Sequence, residues 1–188
     1  RWPLGQTYNS TKAHQSLQKD PKSTSINREA FDWWCAQTDE NVWRQLPPSE
    51  LPKAHYVNVH NGCPNCGTAV YQYGGFYPWT RSHLPCTFKS ECPSCKSVYP
   101  SNDLMAEDFT SGTHVDDGYG CFDDKGHIFI FAASYHRDQT RTFGAGIRTL
   151  TDSLRIGYDE VVGRRLGLML LRYAAEECYA ASVPQFRF

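Results

Sequence analysis

Four of the eight cysteines are spaced as the ligands of a single metal ion. Cys63 and Cys66 form one C-x2-C pair, Cys92 and Cys95 form a second, and residues 67–91 separate the pairs. Two residues between cysteines let one tight turn direct both sulfurs at the same ion, and Zn²⁺ prefers four ligands in a tetrahedron. The spacing therefore predicts a structural zinc site, because four thiolates leave no coordination position for a catalytic water. Two disulfides or free thiols are the alternative interpretation.

The residues that follow each pair also suit a metal-binding turn. Gly67 follows the first pair and permits a left-handed backbone conformation. Lys96 occupies the equivalent position after the second pair, where its cation could offset part of the charge of four thiolates. The remaining four cysteines lack this spacing. Cys35 and Cys178 are expected to be buried free thiols. Cys86 and Cys121 could form a disulfide, which the sequence does not test.

A series of arginines is the second set of residues that could bind a ligand. At about 100° per residue on a helical wheel, the segment around residue 150 places apolar side chains on one face and arginines on the opposite face. The apolar positions are Phe143, Ile147, Leu150 and Leu154, and the arginines are Arg137, Arg141, Arg148 and Arg155. Guanidinium groups bind carboxylates and sulfates through paired hydrogen bonds, so this stripe could bind an anionic polysaccharide. A solvated helix face is the alternative.

Aromatic and titratable side chains complete the candidate functional residues. Tyr77 and Trp79 could stack on the apolar faces of sugar rings, whereas packing around the small metal-binding unit is the alternative. Three further residues are weak candidates for contact with a reaction centre: His136, Tyr135 and His114. A single His or Tyr without a visible partner is more often structural.

Apolar periodicity predicts the helices that position these residues. It indicates a helix over Asn27–Gln37, a helical turn over Asn41–Leu46, and two long helices. The first long helix ends near Gly157 and the second runs to about Ala181, so together they form a helical hairpin. The apolar faces of this hairpin are broader than two helices can bury, so further helices are expected to pack against them.

Alternating patterns predict a few short strands. They indicate a strand over His55–His60, a hairpin around Tyr71 and Tyr73, and a short strand within Gly126–Phe131. The chain is predicted to be mainly α with a small β zinc ribbon. Its four predicted segments are an N-terminal arm with short helices, a four-cysteine unit, a loop with a short strand, and the long helical hairpin: residues 1–54, 55–105, 106–132 and 133–188.

Length and charge exclude several classes of protein. The 188 residues suit one ordinary domain, and 40% hydrophobic residues are enough to bury a core. Nineteen basic residues against 20 acidic ones give a net charge of −1, which argues against a strongly basic nucleic-acid-binding protein. The longest apolar runs are about six residues, whereas a membrane-spanning helix needs roughly 20. We therefore expect no nucleic-acid partner and no membrane span.

Four motifs in a fixed order resemble the front part of the heparinase II/III-like polysaccharide lyases. They are the cysteine pair within Gly62–Gly67, the aromatic run Phe76–Trp79, the second pair Cys92–Cys95, and the segment Tyr99–Asp103. Asp116–Tyr119 and the two long helices continue the resemblance, which covers roughly residues 30–185. Paired cysteine turns are common in proteins, but this order of motifs is much more specific.

The resemblance implies a fold, an activity and partners. The fold would be an (α/α) toroid of helical hairpins followed by a β-sandwich. The activity would be cleavage of a uronate-containing polysaccharide by β-elimination, in which a base removes the C5 proton, a neutralising group stabilises the carboxylate and an acid protonates the leaving oxygen. Family members usually carry these groups on later helices. The chain is therefore expected to be the N-terminal portion of a secreted or periplasmic lyase, inactive without the remainder of that enzyme.

Two other functions remain open at this stage. A non-enzymatic zinc-ribbon module could bind a protein or a nucleic acid, although the net charge counts against nucleic acid. A glycoside hydrolase on a similar toroid would need a pair of carboxylates. The adjacent pairs Asp116–Asp117 and Glu176–Glu177 are weak candidates for that role, because neighbouring side chains face different ways.

Overall fold

The computed structural model describes residues 26–47, 51–53 and 61–180, with side chains described as far as Glu176. Long helices form its C-terminal part, and short antiparallel strands lie between the first cysteine pair and the first long helix. The predicted combination of helices with a small β unit is confirmed. The predicted strand His55–His60 lies outside the described residues. No helix within the described ranges is long and apolar enough to cross a membrane.

The described residues group into two compact units. The first unit contains residues 26–43 and Thr142–Ala174, and the second contains Arg44–Arg141 together with residues from Ala175 onward. This grouping follows contacts in space, whereas the four predicted segments follow the order of the sequence.

Two short helices begin the first unit. Helix α1, Arg28–Ala36, starts where the Asn27 side chain accepts a hydrogen bond from the Ala30 amide at 3.0 Å, which satisfies a free N–H of the first turn. It buries Phe31 and Trp34, and it confirms the helix predicted over Asn27–Gln37. Helix α2, Asp39–Trp43, overlaps the helical turn predicted over Asn41–Leu46 but begins two residues earlier.

The two predicted long helices are present as α3, Ala132–Ile156, and α4, Glu160–Ala180. Helix α3 ends where the Gly157 amide donates to the Ser153 carbonyl at 3.1 Å. Helix α4 begins where the Asp159 carboxylate accepts from the Val162 amide at 3.1 Å, so Asp159 acts as its N-cap.

The predicted apolar positions of both long helices contribute to the core of the first unit. Phe143, Leu150, Val162 and Met169 are fully buried. Trp34 of α1 packs its edge against Phe143, with ring centroids 5.3 Å apart. This edge-to-face arrangement suits the positive rim and negative face of aromatic rings.

Arginines of α4 bind carbonyl groups at the C-terminal ends of α1 and α2. Arg165 donates to the Gln37 carbonyl and to the Asp39 carboxylate, the latter at 2.9 Å. Arg172 donates to the Trp43 carbonyl at 3.1 Å and places its guanidinium 5.3 Å from the centre of the Trp43 ring. Helix C-termini leave carbonyls without partners, so these cations satisfy the ends of both short helices.

The second unit contains two small antiparallel sheets. Strands β1, Thr80–Arg81, β2, Ser90–Glu91, and β3, Val98–Tyr99, form one sheet in that order. Strands β4, Cys121–Phe122, and β5, Ile128–Phe129, form the other, and β5 lies within the strand predicted over Gly126–Phe131. The β1–β2–β3 sheet leads directly into and out of the second cysteine pair.

The hairpin predicted around Tyr71 and Tyr73 is wrong. Residues Thr68–Tyr73 form a 3-10 helix, which the chain leaves when the Gly74 and Gly75 amides both donate to the Tyr71 carbonyl, at 3.5 and 2.9 Å. The Tyr71 hydroxyl accepts from the Gly62 amide at 2.9 Å. The alternation therefore reflects one tyrosine that binds the first cysteine turn and one that is exposed, not two strands.

Candidate metal centre and ligand-binding surface

The four predicted metal ligands converge. The sulfurs of Cys63, Cys66, Cys92 and Cys95 lie within 4.8 Å of one another. The Cys63 and Cys95 sulfurs are 3.7 Å apart, and those of Cys66 and Cys92 are 3.6 Å apart. A tetrahedron with metal–sulfur bonds of ~2.3 Å has edges of ~3.8 Å, whereas a disulfide needs about 2.05 Å. The cluster therefore has the dimensions of a site that could hold a metal ion.

Backbone hydrogen bonds hold each cysteine pair in a similar turn. Cys63 and Gly67 exchange amide-to-carbonyl bonds of 3.1 and 2.8 Å, and the Lys96 amide donates to the Cys92 carbonyl at 2.9 Å. Gly67 and Lys96, the residues that follow the two pairs, both have positive φ, 59° and 62°. At Gly67 the ψ of −145° lies outside the left-handed helical region, in a conformation that favours glycine. The Lys96 ammonium lies 3.3 Å from a carboxylate oxygen of Glu91. The Lys96 ammonium, which we expected to offset the charge of the thiolates, therefore also pairs with the Glu91 carboxylate.

Polar groups behind the sulfurs orient the cluster. The Tyr99 hydroxyl lies 3.4 Å from the Cys63 sulfur, and the Ser97 hydroxyl lies 3.4 Å from the Cys95 sulfur. Asn65 donates to the same Ser97 oxygen at 2.7 Å. Burial alone would raise the pKa of Cys95, but hydrogen bonds from Ser97 lower that pKa to about 6. The Ser97 contacts therefore favour the thiolate of Cys95, which is the form that binds a metal. Burial instead raises the pKa of Cys92 and raises that of Cys66 to about 12, so these two thiols need the metal itself to lose their protons.

The other described cysteines are free thiols. Cys86 and Cys121 are both buried, and the disulfide left open for them is not formed. Cys35 is half-buried. Burial raises the pKa of each of these three thiols to about 12, so they remain protonated at neutral pH. The Cys178 side chain lies outside the described side chains.

The acidic motif that follows the second cysteine pair closes a loop onto the start of α3. The buried Asn102 side chain donates to the Asp108 and Asp116 carbonyls at 2.8 and 3.0 Å. The buried Asp116 carboxylate accepts four backbone N–H groups, two from Gly118 and Gly120 and two from residues 131 and 132. Asp116 is therefore fully engaged in structural hydrogen bonds, which argues against its use as a glycosidase carboxylate.

Asp138 on α3 is shared by three arginines. Its carboxylate lies 2.5 Å from an Nη atom of Arg81, 3.1 Å from Arg137 and 3.9 Å from Arg141. Arg81 is almost fully buried and also donates to Ser90 and Ser134. In the part of the chain that the structure describes, the ion pairs of these three guanidinium groups all go to this one carboxylate. The cluster therefore carries an excess positive charge that an anionic ligand could neutralise.

An aromatic ring lies beside this cationic cluster. Tyr77 is 62% exposed, and the Arg137 guanidinium carbon lies 5.6 Å from the centre of its ring. The Arg137 side chain is only 14% exposed, because it lies between this ring and Asp138. Arg141 is 75% exposed. A cation over an aromatic face is an attractive contact, so Arg137 holds Tyr77 in place and Arg141 remains open to a ligand.

The other predicted ligand-binding residues have different environments. Trp79 is partly buried and packs its edge against Phe131, with ring centroids 5.0 Å apart, as the packing alternative predicts. Arg148 is exposed on α3, within the first unit. Arg155, further along the same helix, is also exposed and lies 3.9 Å from Asp152.

The predicted catalytic candidates are mostly buried. Tyr135 is fully buried, donates its hydroxyl to the Ser82 carbonyl and accepts from the Thr87 amide at 3.0 Å. His136 is fully buried, with Nε2 2.6 Å from a carboxylate oxygen of Glu176. His114 is half-buried and packs against the Tyr99 ring. In this arrangement Tyr135 and His136 contact neighbouring protein groups rather than solvent.

The structure also presents a histidine that the sequence analysis missed. His83 lies in the loop between β1 and β2, with Nδ1 3.0 Å from Oε1 of Gln139 and its ring 5.0 Å from that of Tyr135. Desolvation lowers its pKa below the ordinary value of 6.5. Gln139 is 56 positions away in the sequence, so local spacing carries no signal for this pair.

The chain matches no protein-family model, no curated protein and no solved structure.

Proposed function

We propose that this chain is the polymer-binding N-terminal portion of a polysaccharide lyase that cleaves uronate-containing polysaccharide by β-elimination. Its long helical hairpin would begin an (α/α) toroid, and the remainder of the lyase would supply further toroid helices and a β-sandwich. Its four-cysteine cluster would hold a structural zinc ion. A secreted or periplasmic location belongs to the same proposal, because such polymers lie outside the cell.

The cysteine cluster supports zinc as the metal. Its sulfur–sulfur distances of 3.6 and 3.7 Å fit the edges of a tetrahedral tetrathiolate site. All four ligands are thiolates in two short turns, and such closed sites are structural rather than catalytic. Zinc bound here would fix the β1–β2–β3 sheet, whose strands are only two residues long.

The observation that carries the ligand class is the cationic surface beside Tyr77. Three arginines share Asp138, and Arg141 is largely free to reach a ligand. The exposed ring of Tyr77 can stack on the apolar face of a pyranose while guanidinium groups bind its carboxylate. A uronate residue offers both an apolar face and a carboxylate, so it matches both parts of this surface.

Binding of uronate polymers to the chain tests this surface. Calorimetric titration with alginate, hyaluronan and heparan oligosaccharides should give an affinity that falls with added salt, because charges contribute to binding. Arg141→Ala and Tyr77→Ala should each weaken binding by about three- to tenfold, as expected for the loss of an exposed charged or stacking contact. Two matched controls, Lys125→Ala and Phe122→Ala, remove an exposed cation and an exposed aromatic ring elsewhere in the same unit.

The outcome separates the proposed surface from a solvated helix face. If the Arg141 and Tyr77 variants bind as the two controls do, the surface is not the polymer site. The longest natural polypeptide that contains these residues should also produce the ultraviolet absorbance of a C4–C5 double bond conjugated to the uronate carboxylate. No absorbance with any uronate polymer would contradict the lyase assignment.

A non-enzymatic interaction module is the second candidate function. Tyr73 and Phe76 are 54% and 56% exposed, next to Tyr77 on the same turn. A cluster of exposed aromatic rings is a common feature of protein-binding surfaces. Failure to bind any uronate polymer, together with a defined protein partner lost in Phe76→Ala, would favour this function.

A further inference from the structure

We propose that Arg137 makes the proposed ligand-binding surface selective for carboxylates without touching the ligand, as the positioning residue of the Tyr77 ring. This inference rests on the proposed function, and it gives the arginines of the surface different tasks. Arg141 contacts the ligand, whereas Arg137 lies behind the ring on which the sugar stacks. A uronate is then preferred over an uncharged pyranose because of a fixed charge on the far side of that ring.

The two guanidinium groups differ in their exposure. The Arg137 side chain is 14% exposed, whereas that of Arg141 is 75% exposed. The Arg137 guanidinium carbon lies 5.6 Å from the centre of the Tyr77 ring. Its Nε and Nη2 atoms both lie 3.1 Å from Oδ1 of Asp138. Arg137 is thus enclosed between an aromatic face and a carboxylate, which leaves Arg141 as the accessible cation of the two.

A buried arginine holds the carboxylate of Asp138. The Oδ2 atom of Asp138 lies 2.5 Å from Nη1 of Arg81, whose side chain is only 8% exposed. Arg81 also donates through Nε to the Ser90 hydroxyl at 2.8 Å and through Nη2 to the Ser134 hydroxyl at 2.9 Å. Both serines are fully buried. A continuous series of contacts therefore runs from buried hydroxyls, through two arginines and a carboxylate, to the exposed ring of Tyr77.

This series leaves one face of the Tyr77 ring for a ligand. The Arg137 guanidinium lies over the ring, yet Tyr77 is 62% exposed, so its opposite face is open. The contact with Arg137 restricts the ring before a ligand arrives. Less rotational freedom is then lost when a sugar stacks on it, which favours binding.

A cation behind the ring changes what the open face binds. The guanidinium draws the electron density of the ring towards itself, so the open face is less negative than that of an isolated ring. In the part of the chain that the structure describes, the guanidinium groups of Arg81, Arg137 and Arg141 share the carboxylate of Asp138, which leaves an excess of positive charge. This charge attracts a sugar carboxylate. A methyl ester of the same sugar keeps the stacking face and loses that attraction.

Arg137 also screens the charge of Asp138. The Asp138 side chain is 24% exposed, and without Arg137 more of its negative charge would act on a bound carboxylate. Loss of Arg137 therefore removes an attractive charge and uncovers a repulsive one. A lysine at this position would keep the charge but lacks the planar group that stacks and donates from two nitrogens.

Calorimetric titration measures this selectivity as the ratio of two dissociation constants, that of the methyl ester to that of the free acid. The probes are whichever of the alginate, hyaluronan and heparan oligosaccharides binds most tightly, and the methyl ester of that same oligosaccharide. The unmodified chain should prefer the free acid by about tenfold or more, as expected for charge-assisted hydrogen bonds.

Variants at position 137 separate charge from shape. Arg137→Gln should lower the selectivity by about two- to fivefold, the effect of losing an exposed cation–aromatic contact. Arg137→Lys should bind both probes more weakly but keep the selectivity within about twofold of that of the unmodified chain. Lys125→Gln, which removes an exposed cation from the turn between β4 and β5, should change neither affinity nor selectivity.

Side-chain proton–nitrogen spectra of the unmodified chain show which arginine touches the ligand. Titration with the free acid should shift the Nε–H signal of Arg141 and the ring signals of Tyr77. The Nε–H group of Arg137 is bound to Asp138, so its signal should move less than half as far as that of Arg141. A shift of Arg137 as large as that of Arg141 would mean that Arg137 contacts the ligand, and the inference would be wrong.

The possible outcomes separate this inference from the proposed function. If no uronate oligosaccharide binds the unmodified chain, both the polymer-binding function and the inference fail. If the free acid binds and Arg137→Gln keeps the selectivity of the unmodified chain, only the inference fails. If Arg137→Gln and Arg137→Lys lose selectivity equally while circular dichroism is unchanged, the shape of the surface and not the charge of Arg137 selects the carboxylate, which also overturns the inference.

Discussion

Replacing Asp116 by asparagine tests how the loop after the cysteine pairs is fixed to α3. One oxygen of the buried carboxylate accepts from the Gly118 and Gly120 amides at 2.8 and 3.0 Å. The other accepts from the Phe131 and Ala132 amides, both at 2.9 Å. Ala132 is the first residue of α3, so the carboxylate also lies at the positive end of a helix dipole.

The expected loss follows from counting these donors. An asparagine amide keeps one accepting oxygen, but its NH₂ group faces the remaining two N–H groups and cannot accept from either of them. Hydrogen bonds to a charged group contribute about 1.5–3 kcal/mol each, and buried donors left without partners carry a further cost. We therefore expect Asp116→Asn to lower the free energy of unfolding by about 3–5 kcal/mol. That is a large part of the roughly 5–15 kcal/mol that stabilises a typical domain.

Urea denaturation followed by circular dichroism measures this loss. Asp117→Asn provides a matched control, because the neighbouring carboxylate is exposed and, among the described residues, accepts only from the Tyr119 amide at 3.0 Å. The control should stay within about 0.5 kcal/mol of the unmodified chain. If the Asp116 and Asp117 variants differ by less than about 1 kcal/mol, the four-donor contact does not hold the loop as argued.

Three further predictions concern the metal, the helix packing and the histidine. Elemental analysis should find one zinc per chain, and Cys92→Ser should lose the zinc and several kcal/mol of stability, whereas Cys35→Ser should retain both. Gly146→Ala should destabilise the first unit by about 1–3 kcal/mol, because a Cβ there would lie 2.4 Å from the Trp34 ring nitrogen. Gly144→Ala is the control and should not destabilise the unit, because a Cβ at that position meets nothing within 4 Å. Desolvation lowers the pKa of His83 in the folded chain, so the unfolded chain binds more protons at this residue. The free energy of unfolding should therefore fall as the pH drops through about 6.5. In denaturation experiments at a series of pH values, His83→Gln should make this fall smaller.

Local sequence patterns were sufficient for features that depend on near neighbours. The two C-x2-C turns need only a few residues each, and all four sulfurs converge as predicted. Helical periodicity also placed Phe143, Leu150, Val162 and Met169 correctly in the core, because one face of a helix must be buried whatever it packs against.

Features that depend on distant partners could not be predicted in this way. The wheel placed Arg137 and Arg141 on one stripe, but Arg137 is held by Tyr77 and Asp138 while Arg141 is exposed. Tyr71 and Tyr73 alternate like a strand, yet a hydrogen bond from Gly62 to Tyr71 accompanies a 3-10 helix. In each case a contact with a residue outside the pattern decides the outcome.

Arg81 connects the cysteine cluster to the proposed ligand-binding surface. Arg81 lies on β1, donates to Ser90 of β2 at 2.8 Å and binds Asp138 at 2.5 Å. Strand β2 ends at Glu91, next to Cys92, so a released metal would free the end of that strand. Arg81 would then lose its contact with β2 and keep only its contacts with Ser134 and Asp138 on α3, so Asp138 and its partner Arg137 would be held less rigidly. Zinc removal by a chelator should therefore weaken binding of uronate oligosaccharides by up to the three- to tenfold expected for Tyr77→Ala, although the four cysteines are not part of the proposed surface. Equal affinities of the zinc-loaded and zinc-free chains in calorimetry, with zinc loss confirmed by elemental analysis, would show that the two sites are independent.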